Sequence, residues 1–237
     1  MIDRRKDLLK IRVELSRILP PIWREILVPA TYSFWDLHVG IQDAMGWLDY
    51  HPHEFRIKGR GPGDPVIIGI PREELWENQP EVQPGWQVPV TDYLTQPGEQ
   101  IEYEYDFGDD WLHMVTLVSV EPREKRKRYP QCIAGARACP PEDCGGVHGY
   151  HELLDALLDP THTEHEALSQ WISEGWGPEL FKPDKVRFDN PRRRWEQAFL
   201  SEDQLTGAGG LSIEERTNGL YFKDTFSKVP ARRARDW

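Results

Sequence analysis

Cysteine is scarce in this chain of 237 residues, which has only Cys132, Cys139 and Cys144. A small, odd number of cysteines argues against a disulfide framework and fits a reducing compartment. Long apolar runs are also missing, so no transmembrane helix is expected. The start, Met1-Ile2-Asp3-Arg4, lacks the apolar segment of a signal peptide. These absences predict a cytoplasmic protein with no membrane partner.

Basic residues are in the minority, because 29 Lys and Arg face 40 Asp and Glu, a formal net charge of -11. Non-specific nucleic-acid binding depends on Lys and Arg that neutralise phosphates, so it is disfavoured. A local basic patch stays open, chiefly at residues 123–128, although such a run is usually a solvated strand end. Hydrophobic residues make up 38% and include 10 Trp, enough for a core and too many for a disordered chain.

Hydrophobic periodicity outlines the elements of the fold. Alternating residues predict strands at 8–15, 23–28, 53–57 and 66–70, and a hairpin from 101–107 and 112–120. Helical spacing predicts helices at 33–45, after Tyr150, after Thr163 and at 191–200, with loops at 71–97 and 129–149. The expected fold is α+β, a mainly antiparallel sheet covered by helices. It is a single domain over 1–199, and residues 200–237 form a C-terminal extension.

The cysteine loop is the first candidate site. Cys132, Cys139, Cys144 and His148 offer thiolate and imidazole ligands that suit zinc, so zinc is a possible cofactor. The spacing does not have the paired form of common zinc motifs. The alternative is that these cysteines are small buried side chains.

The second candidate combines His51, His53, Asp106 and His113, with Asp109 nearby and Asp110 beside it. Histidine and carboxylate ligands together suit zinc, manganese or iron and can activate water. A turn centred on Asp109 and Asp110, or a loop of residues 108–111, pairs Asp106 with His113, whereas a turn at 108–109 pairs it with Trp111. Alternatively, these acids are ordinary hairpin-turn residues and a carboxylate only orients a histidine.

Glu142 and Asp143 precede Gly145 and Gly146, just before a predicted helix. Backbone amides at a helix start can hold an anion, but the spacing matches no phosphate-binding fingerprint. The favoured alternative is that the two acids brace the loop through hydrogen bonds to backbone amides. Both remain candidate catalytic residues, together with Asp106, Asp109 and His113.

Several motifs occur in a characteristic order along residues 8–190. They are Pro20-Pro21-Ile22-Trp23-Arg24, Ala44-Met45-Gly46-Trp47, His53-Glu54-Phe55, Tyr105-Asp106-Phe107-Gly108-Asp109-Asp110-Trp111-Leu112-His113 and Ala138-Cys139-Pro140-Pro141-Glu142-Asp143-Cys144-Gly145-Gly146, followed by Gly149-Tyr150. In this order the chain resembles the plasmid pRiA4b ORF-3-like family. The resemblance implies a mixed α+β domain and a link to insertion-element passenger proteins, some labelled as resolvases, but no established activity.

The resolvase label receives little support from the residues. A serine recombinase needs a nucleophilic serine and a basic DNA-binding module, and Ser33 is better explained as a helix cap than as a nucleophile. The resemblance therefore favours an accessory or interaction module with an unidentified protein partner. The alternative is a metal-dependent hydrolase or nuclease that uses the His and Asp residues of the second candidate site. Whether the chain is an enzyme stays open at this stage.

Overall fold

The computed structural model describes residues 1–59, 61, 65–71 and 80–200. The strands are β1 (Asp7–Leu15), β2 (Trp23–Pro29), β3 (His53–Ile57), β4 (Val66–Gly69), β5 (Val82–Pro84), β6 (Gln100–Tyr105), β7 (Trp111–Pro122) and β8 (Gln131–Ala136). The α-helices are α1 (Phe34–Met45), α2 (Gly146–Leu158), α3 (His165–Trp171) and α4 (Pro191–Phe199). Short 3-10 turns lie at Val90–Asp92 and Pro183–Lys185.

The described strands form one sheet in the order β5-β4-β3-β6-β7-β1-β2-β8. All neighbours in this sheet are antiparallel except β4 and β5. The predicted α+β class, the N-terminal strand pair and the central hairpin are confirmed. Residues 201–237 of the expected C-terminal extension lie outside the described residues.

Two strands depart from the sequence prediction. The expected loop at 129–149 contains β8, which pairs with β2 at the edge of the sheet. The residues of β8 do not alternate between buried and exposed, which explains why the period of two is missing from its sequence. The stretch 71–97 contains β5, whose three residues are too few to show a periodic pattern.

Helix α1 begins at a capping box, as its sequence predicts. The Ser33 side chain accepts a hydrogen bond from the Asp36 amide at 3.2 Å, and the Asp36 carboxylate accepts one from the Ser33 amide at 2.9 Å. The helix ends at Gly46, whose φ of 95° is the left-handed conformation that glycine adopts without strain. Ser33 is therefore a structural cap.

The hydrophobic core lies on one face of the sheet. Alternate residues of β1, Leu9, Ile11, Val13 and Leu15, pack there with the buried side chains of α1 and with Tyr150 and Leu153 of α2. The opposite face carries ion pairs such as Lys10 with Glu25, at 3.2 Å, and is partly solvated. Within the described residues, no helix combines the length and apolar character that a membrane span requires.

Candidate functional site

The hairpin loop between β6 and β7 contains five residues, Asp106 to Asp110. Its register places Tyr103 opposite His113 and Tyr105 opposite Trp111, so both pairings considered for Asp106 are wrong. The reason is local: Asp106 Oδ1 accepts hydrogen bonds from the amides of Gly108 at 2.9 Å and Asp109 at 3.3 Å. This Asx-type turn, with Asp106 at a φ of 59°, removes Asp106 from the strand ladder.

The loop before α2 packs directly onto this hairpin loop. The Gly145 amide donates a hydrogen bond to Asp109 Oδ2 at 3.2 Å. A Cβ added at Gly146, whose φ is 67°, would collide with the Asp109 carbonyl oxygen. Glycine is thus required for the close approach of the two loops. Their contact carries Asp143 to the hairpin loop.

His51 enters the same place from the segment that precedes β3. The Pro52 carbonyl oxygen accepts a hydrogen bond from the Asp106 amide at 3.0 Å, which joins this segment to the hairpin loop. His51 Nε2 lies 3.1 Å from Asp143 Oδ1 and 3.5 Å from Asp106 Oδ2. One ligand atom from each residue lies within 4.8 Å of the other two. Three sequence-distant segments therefore converge on one His-Asp-Asp group.

The directions within this group distinguish it from an ordinary ion pair. Although His51 Nε2 is close to both carboxylates, it is buried and makes no hydrogen bond, because its ring N–H direction misses both oxygens. A metal ion bound to His51 Nε2 would lie on the lone-pair axis of this nitrogen, and the carboxylate oxygens that share the ion would lie off that axis. With bonds of about 2.1 Å, neighbouring ligand atoms lie roughly 3.0 to 3.4 Å apart. The distance from His51 Nε2 to Asp143, 3.1 Å, lies within this range, and the distance to Asp106, 3.5 Å, lies just above it.

Glu142 lies beside the group and is held by two donors. Its Oε1 accepts hydrogen bonds from the Leu48 amide at 2.7 Å and from the Tyr105 hydroxyl at 3.1 Å. Burial raises the pKa of Glu142 to about 7, although both hydrogen bonds favour the ionised form. A carboxyl group with a pKa raised towards neutrality is suited to act as a general acid or base. The hydrogen bond from the Leu48 amide also fixes the loop that contains Glu142, as the alternative interpretation of Glu142 predicts.

The other acids of the hairpin loop have structural partners. Asp109 accepts a hydrogen bond from the Gly145 amide, and Asp110 forms an ion pair with Arg17 at 2.7 Å. A cleft of about 500 Å³ opens beside Asp143. Its lining comprises Asp143, Cys144, Gly149, Glu152, Leu153, His162, Glu164, Leu168 and Trp171. Asp143 is therefore the member of the His-Asp-Asp group that lines this cleft.

His53 belongs to a second group, with His38 and Asp49, in which both histidines are buried and Asp49 is partly buried. The imidazoles of His38 and His53 stack with centroids 3.4 Å apart and planes 8° apart, so their in-plane lone pairs cannot point to one ion. Both nitrogens of His38 are also engaged, one with the Tyr103 hydroxyl and one with Asp49, each at 2.8 Å. Burial and the neighbouring His38 lower the pKa of His53 well below its usual value. This group is better suited to packing than to metal binding.

His113 lies in the core, away from His51. It is completely buried, its Nδ1 is 3.3 Å from the Tyr103 carbonyl oxygen, and burial lowers its pKa to about 3. Of the predicted set His51, His53, Asp106 and His113, the structure therefore brings together His51 and Asp106. Asp143 joins them, although the sequence placed it in a separate motif.

The cysteine loop does not converge in the described part of the chain, where two groups of three metal-ligand side chains occur and neither contains a cysteine. Burial raises the pKa of Cys132 to about 11 and that of Cys144 to about 12, which keeps both thiols protonated. Cys139 is buried in the core. The His148 side chain is 87% exposed and lies 3.2 Å from Glu152 on α2. Zinc binding by these four residues stays a prediction without geometric support.

Sequence reasoning assigned no role to Tyr105, and it named Asp143 as a candidate catalytic residue without grouping it with His51 and Asp106. The Tyr105 hydroxyl links Glu142 to the Tyr50 amide, from which it accepts a hydrogen bond at 3.1 Å. Alternation marked Tyr105 as a core residue, and nothing in the sequence assigned its hydroxyl. The signal for Asp143 was the glycine pair that follows it, because adjacent glycines permit close packing against another loop.

Residues 7–185 match the protein family described as plasmid pRiA4b ORF-3-like protein. The chain belongs to this family. It is 32% identical over 166 residues to the uncharacterized protein y4hQ of Sinorhizobium fredii (strain NBRC 101917 / NGR234), a match that covers 70% of this chain and 80% of the relative.

The family fold is also represented by an experimental structure. The crystal structure of a protein of unknown function, MM3350 from Methanosarcina mazei Go1, resembles this chain with a TM-score of 0.69 and 38% identity. The match covers 77% of this chain and 99% of that protein. Neither relative carries an assigned activity, so the chemistry of the site itself must indicate the function.

Proposed function

We propose that this member of the pRiA4b ORF-3-like family is a metal-dependent hydrolase with its centre at His51, Asp106 and Asp143. The observation that carries the proposal is the buried Nε2 of His51, which lies 3.1 and 3.5 Å from two carboxylate oxygens without a hydrogen bond to either. One imidazole and two carboxylates suit a divalent ion such as manganese, zinc or iron. Three protein ligands leave open positions for water and substrate.

The residues around the centre have complementary roles in this proposal. A bound divalent ion lowers the pKa of a coordinated water and thereby supplies a nucleophile at neutral pH. Glu142, whose raised pKa of about 7 suits proton transfer near neutral pH, would accept the proton of the attacking water and pass it to the leaving group as the ester or amide bond breaks. The hydrogen bonds from Leu48 and Tyr105 fix the Glu142 carboxyl in place.

The surrounding charge favours a hydrolase over a nuclease. The cleft beside Asp143 is lined by the carboxylates of Glu152 and Glu164 and by apolar side chains, including Leu153 and Trp171. These acids repel a polyphosphate backbone, whereas they accommodate a neutral or cationic molecule with an apolar part. We therefore propose a small neutral or cationic ester or amide as the substrate.

Metal content tests the centre first. Purified protein is loaded with Mn²⁺ or Zn²⁺ and dialysed, and the metal is measured by elemental mass spectrometry in wild type, His51→Ala and Asp143→Asn. Both variants should bind the ion more than about 100-fold more weakly, a larger effect than the loss of an outer-sphere partner causes. His151→Ala is the matched control, because His151 is exposed on α2 and belongs to neither candidate metal site. Equal metal binding in all four proteins would refute the centre.

Hydrolysis tests the activity. Chromogenic p-nitrophenyl esters with neutral, cationic and phosphodiester groups are compared in the presence of Mn²⁺ and Zn²⁺. The neutral or cationic esters should be cleaved in a metal-dependent reaction that Glu142→Gln slows by at least about 100-fold while metal binding is retained. Cleavage of the phosphodiester alone would favour the nuclease instead.

The competing proposal is an accessory or interaction module linked to mobile elements, with a protein partner in the cytoplasm. It is supported by the exposed Leu158, with 82% of its surface accessible, and the half-exposed Trp171, since such side chains are common at interfaces. The three free cysteines fit a reducing compartment. Stoichiometric metal binding without hydrolysis of any ester would favour this module.

A further inference from the structure

Two basic segments that are far apart in the sequence meet at one end of the sheet. One contains Arg4, Arg5 and Lys6, and the other is the run at residues 123–128. Asp7 at the start of β1 pairs with Pro122 at the end of β7, and the Arg123 amide donates a hydrogen bond to the Lys6 carbonyl oxygen at 2.7 Å. The β1–β7 pairing therefore builds a single surface, the basic edge, from both segments.

The path of the chain spreads the basic edge into a row. The strands β7 and β8 are separated in the sheet by β1 and β2, so the connection between them crosses the ends of both intervening strands. Three spacings between neighbouring strands amount to about 14 Å. Residues 123–128 lie in this connection and are all exposed. The connection turns at Lys125 and Arg126 and carries its cations across this end of the sheet.

Much of the positive charge on this edge is uncompensated. Lys6 pairs with Asp3 at 3.1 Å, Lys127 pairs with Glu124 at 2.7 Å, and Arg4 pairs with Asp92. By contrast, Arg5, Lys125, Arg126 and Arg128 have no carboxylate within 4.0 Å among the residues that the structure describes. These four cations give the basic edge a local positive charge although the net charge of the whole chain is -11.

The basic edge is remote from the His-Asp-Asp group. The hairpin loop adjoins the start of β7 at Trp111, whereas the basic edge adjoins its end at Pro122. A strand of this length spans about 36 Å at roughly 3.3 Å per residue. A ligand on the basic edge therefore does not contact the proposed catalytic residues, and the two sites can be tested independently.

We propose that the basic edge binds the phosphate backbone of nucleic acid. A strip of Lys and Arg about 14 Å long can face several phosphates at once, because duplex DNA carries one charge per ~1.7 Å of its axis, or about eight over 14 Å. Membrane-surface segments combine cations with apolar side chains that insert into the lipid. The run at 123–128 contains only Arg, Lys and Glu124, so it lacks such an anchor. The acidic remainder of the chain repels the polyanion and confines contact to this edge.

Fluorescence anisotropy with a labelled duplex of about 20 base pairs and a single strand of equal length tests the proposal. We expect binding in the range of 10⁻⁴ to 10⁻⁶ M, typical of non-specific complexes, with a steep dependence on salt. The triple variant Lys125→Ala, Arg126→Ala and Arg128→Ala should bind at least about tenfold more weakly. Its log K versus log salt slope should be shallower by about 2.7, the value for three lost phosphate contacts.

A matched control distinguishes the loss of the basic edge from the change in net charge of the whole chain. The triple variant Lys182→Ala, Lys185→Ala and Arg193→Ala removes the same charge from exposed positions elsewhere. It should bind like the wild type, and circular dichroism should show that both variants keep their fold. Equal weakening in the two variants, or no binding by the wild type at low salt, would overturn the proposal. Tighter binding to phosphatidylserine vesicles or polyglutamate than to either oligonucleotide would also overturn it.

Discussion

Arg194 joins α4 to the buried polar residues of the core, and its replacement yields the sharpest stability prediction. Its Nη2 lies 2.7 Å from Asp43 Oδ1 and 2.5 Å from Asp189 Oδ2, and its Nη1 lies 3.5 Å from Asp49 Oδ2. The Asp43 side chain has no accessible surface. Arg194→Met keeps the apolar stem and removes the cation, which leaves a buried carboxylate without its counter-ion.

The expected cost is about 3 kcal/mol of unfolding free energy, the lower part of the range of ~3–5 kcal/mol for breaking a buried ion pair. The lower part applies because Asp49 and Asp189 remain partly hydrated, with 14% and 37% of their side-chain surface accessible. Asp43→Asn in the same chain should recover more than about 1 kcal/mol, since it removes the orphaned charge. The exposed neighbour Arg193→Ala should change stability by less than about 0.5 kcal/mol.

The pH dependence gives a second test of the same reasoning. Burial opposes the ionisation of Asp49, but His38 and Arg194 hold the pKa of Asp49 below its usual value of 3.8. Such a carboxylate stabilises the fold above that value, and the contribution is lost as pH falls through the folded-state pKa. In Arg194→Met the pKa of Asp49 should rise, because an opposing cation is gone. The difference in unfolding free energy between wild type and Arg194→Met should have its full size at pH 7 and should decrease below about pH 4.

Urea unfolding followed by tryptophan fluorescence measures these differences. A loss below about 1 kcal/mol for Arg194→Met, or no recovery with Asp43→Asn, would refute the role assigned to the Arg194 cation.

Three further substitutions distinguish residues that act in the proposed site from residues that stabilise the fold around it. Glu142→Gln should remove the limb near pH 7 from the pH–rate profile of hydrolysis, because the titrating carboxyl is lost. Gly146→Ala should destabilise the fold by about 1–3 kcal/mol and weaken metal binding, because its Cβ collides with the Asp109 carbonyl. Gly98→Ala is its matched control, with a φ of 93° and no atom within 4 Å of the added Cβ. His113→Ala should cost about 2 kcal/mol and leave metal affinity unchanged, since His113 is a core residue.

Each of these three changes has an outcome that contradicts its reasoning. A Glu142→Gln enzyme with an unchanged pH profile would exclude Glu142 as the titrating group. If Gly146→Ala and Gly98→Ala lost equal amounts of unfolding free energy, backbone strain alone would explain the effect. Loss of metal from a stably folded His113→Ala protein would restore the original expectation that His113 is a ligand.

The sequence predicted the fold well where local chemistry decides the structure. The start of α1 followed from Ser33 and Asp36, and β1 from strict alternation over Leu9 to Leu15. It failed at β8, because an edge strand covered unevenly on both faces has no alternating pattern to detect. Caps and alternating patterns in the sequence thus predicted the helices and strands that bury only one face.

The site was predicted only in part, for a reason that lies in tertiary packing. The sequence selected His51, Asp106 and Asp143 as residues with suitable chemistry, but it could not show which of them meet. His113 was grouped with Asp106 because both lie in one hairpin, yet the five-residue loop changed the pairing. Asp143 joined His51 through contact between two loops, and such contact leaves no periodic signal in a sequence.

The buried His38, Asp49 and His53 group explains how the segment that carries His51 is held in place. Leu48 donates its amide to Glu142, Asp49 is fixed by His38, and His53 stacks on the same imidazole. His51 lies between these anchors, so its imidazole is directed towards the hairpin loop. Burying an acid and two histidines opposes folding unless each is well partnered, and an apolar trio of the same volume would pack without that cost. The polar group therefore makes sense as a positioning device, which predicts that changes at Asp49 alter metal affinity without any contact with the ion.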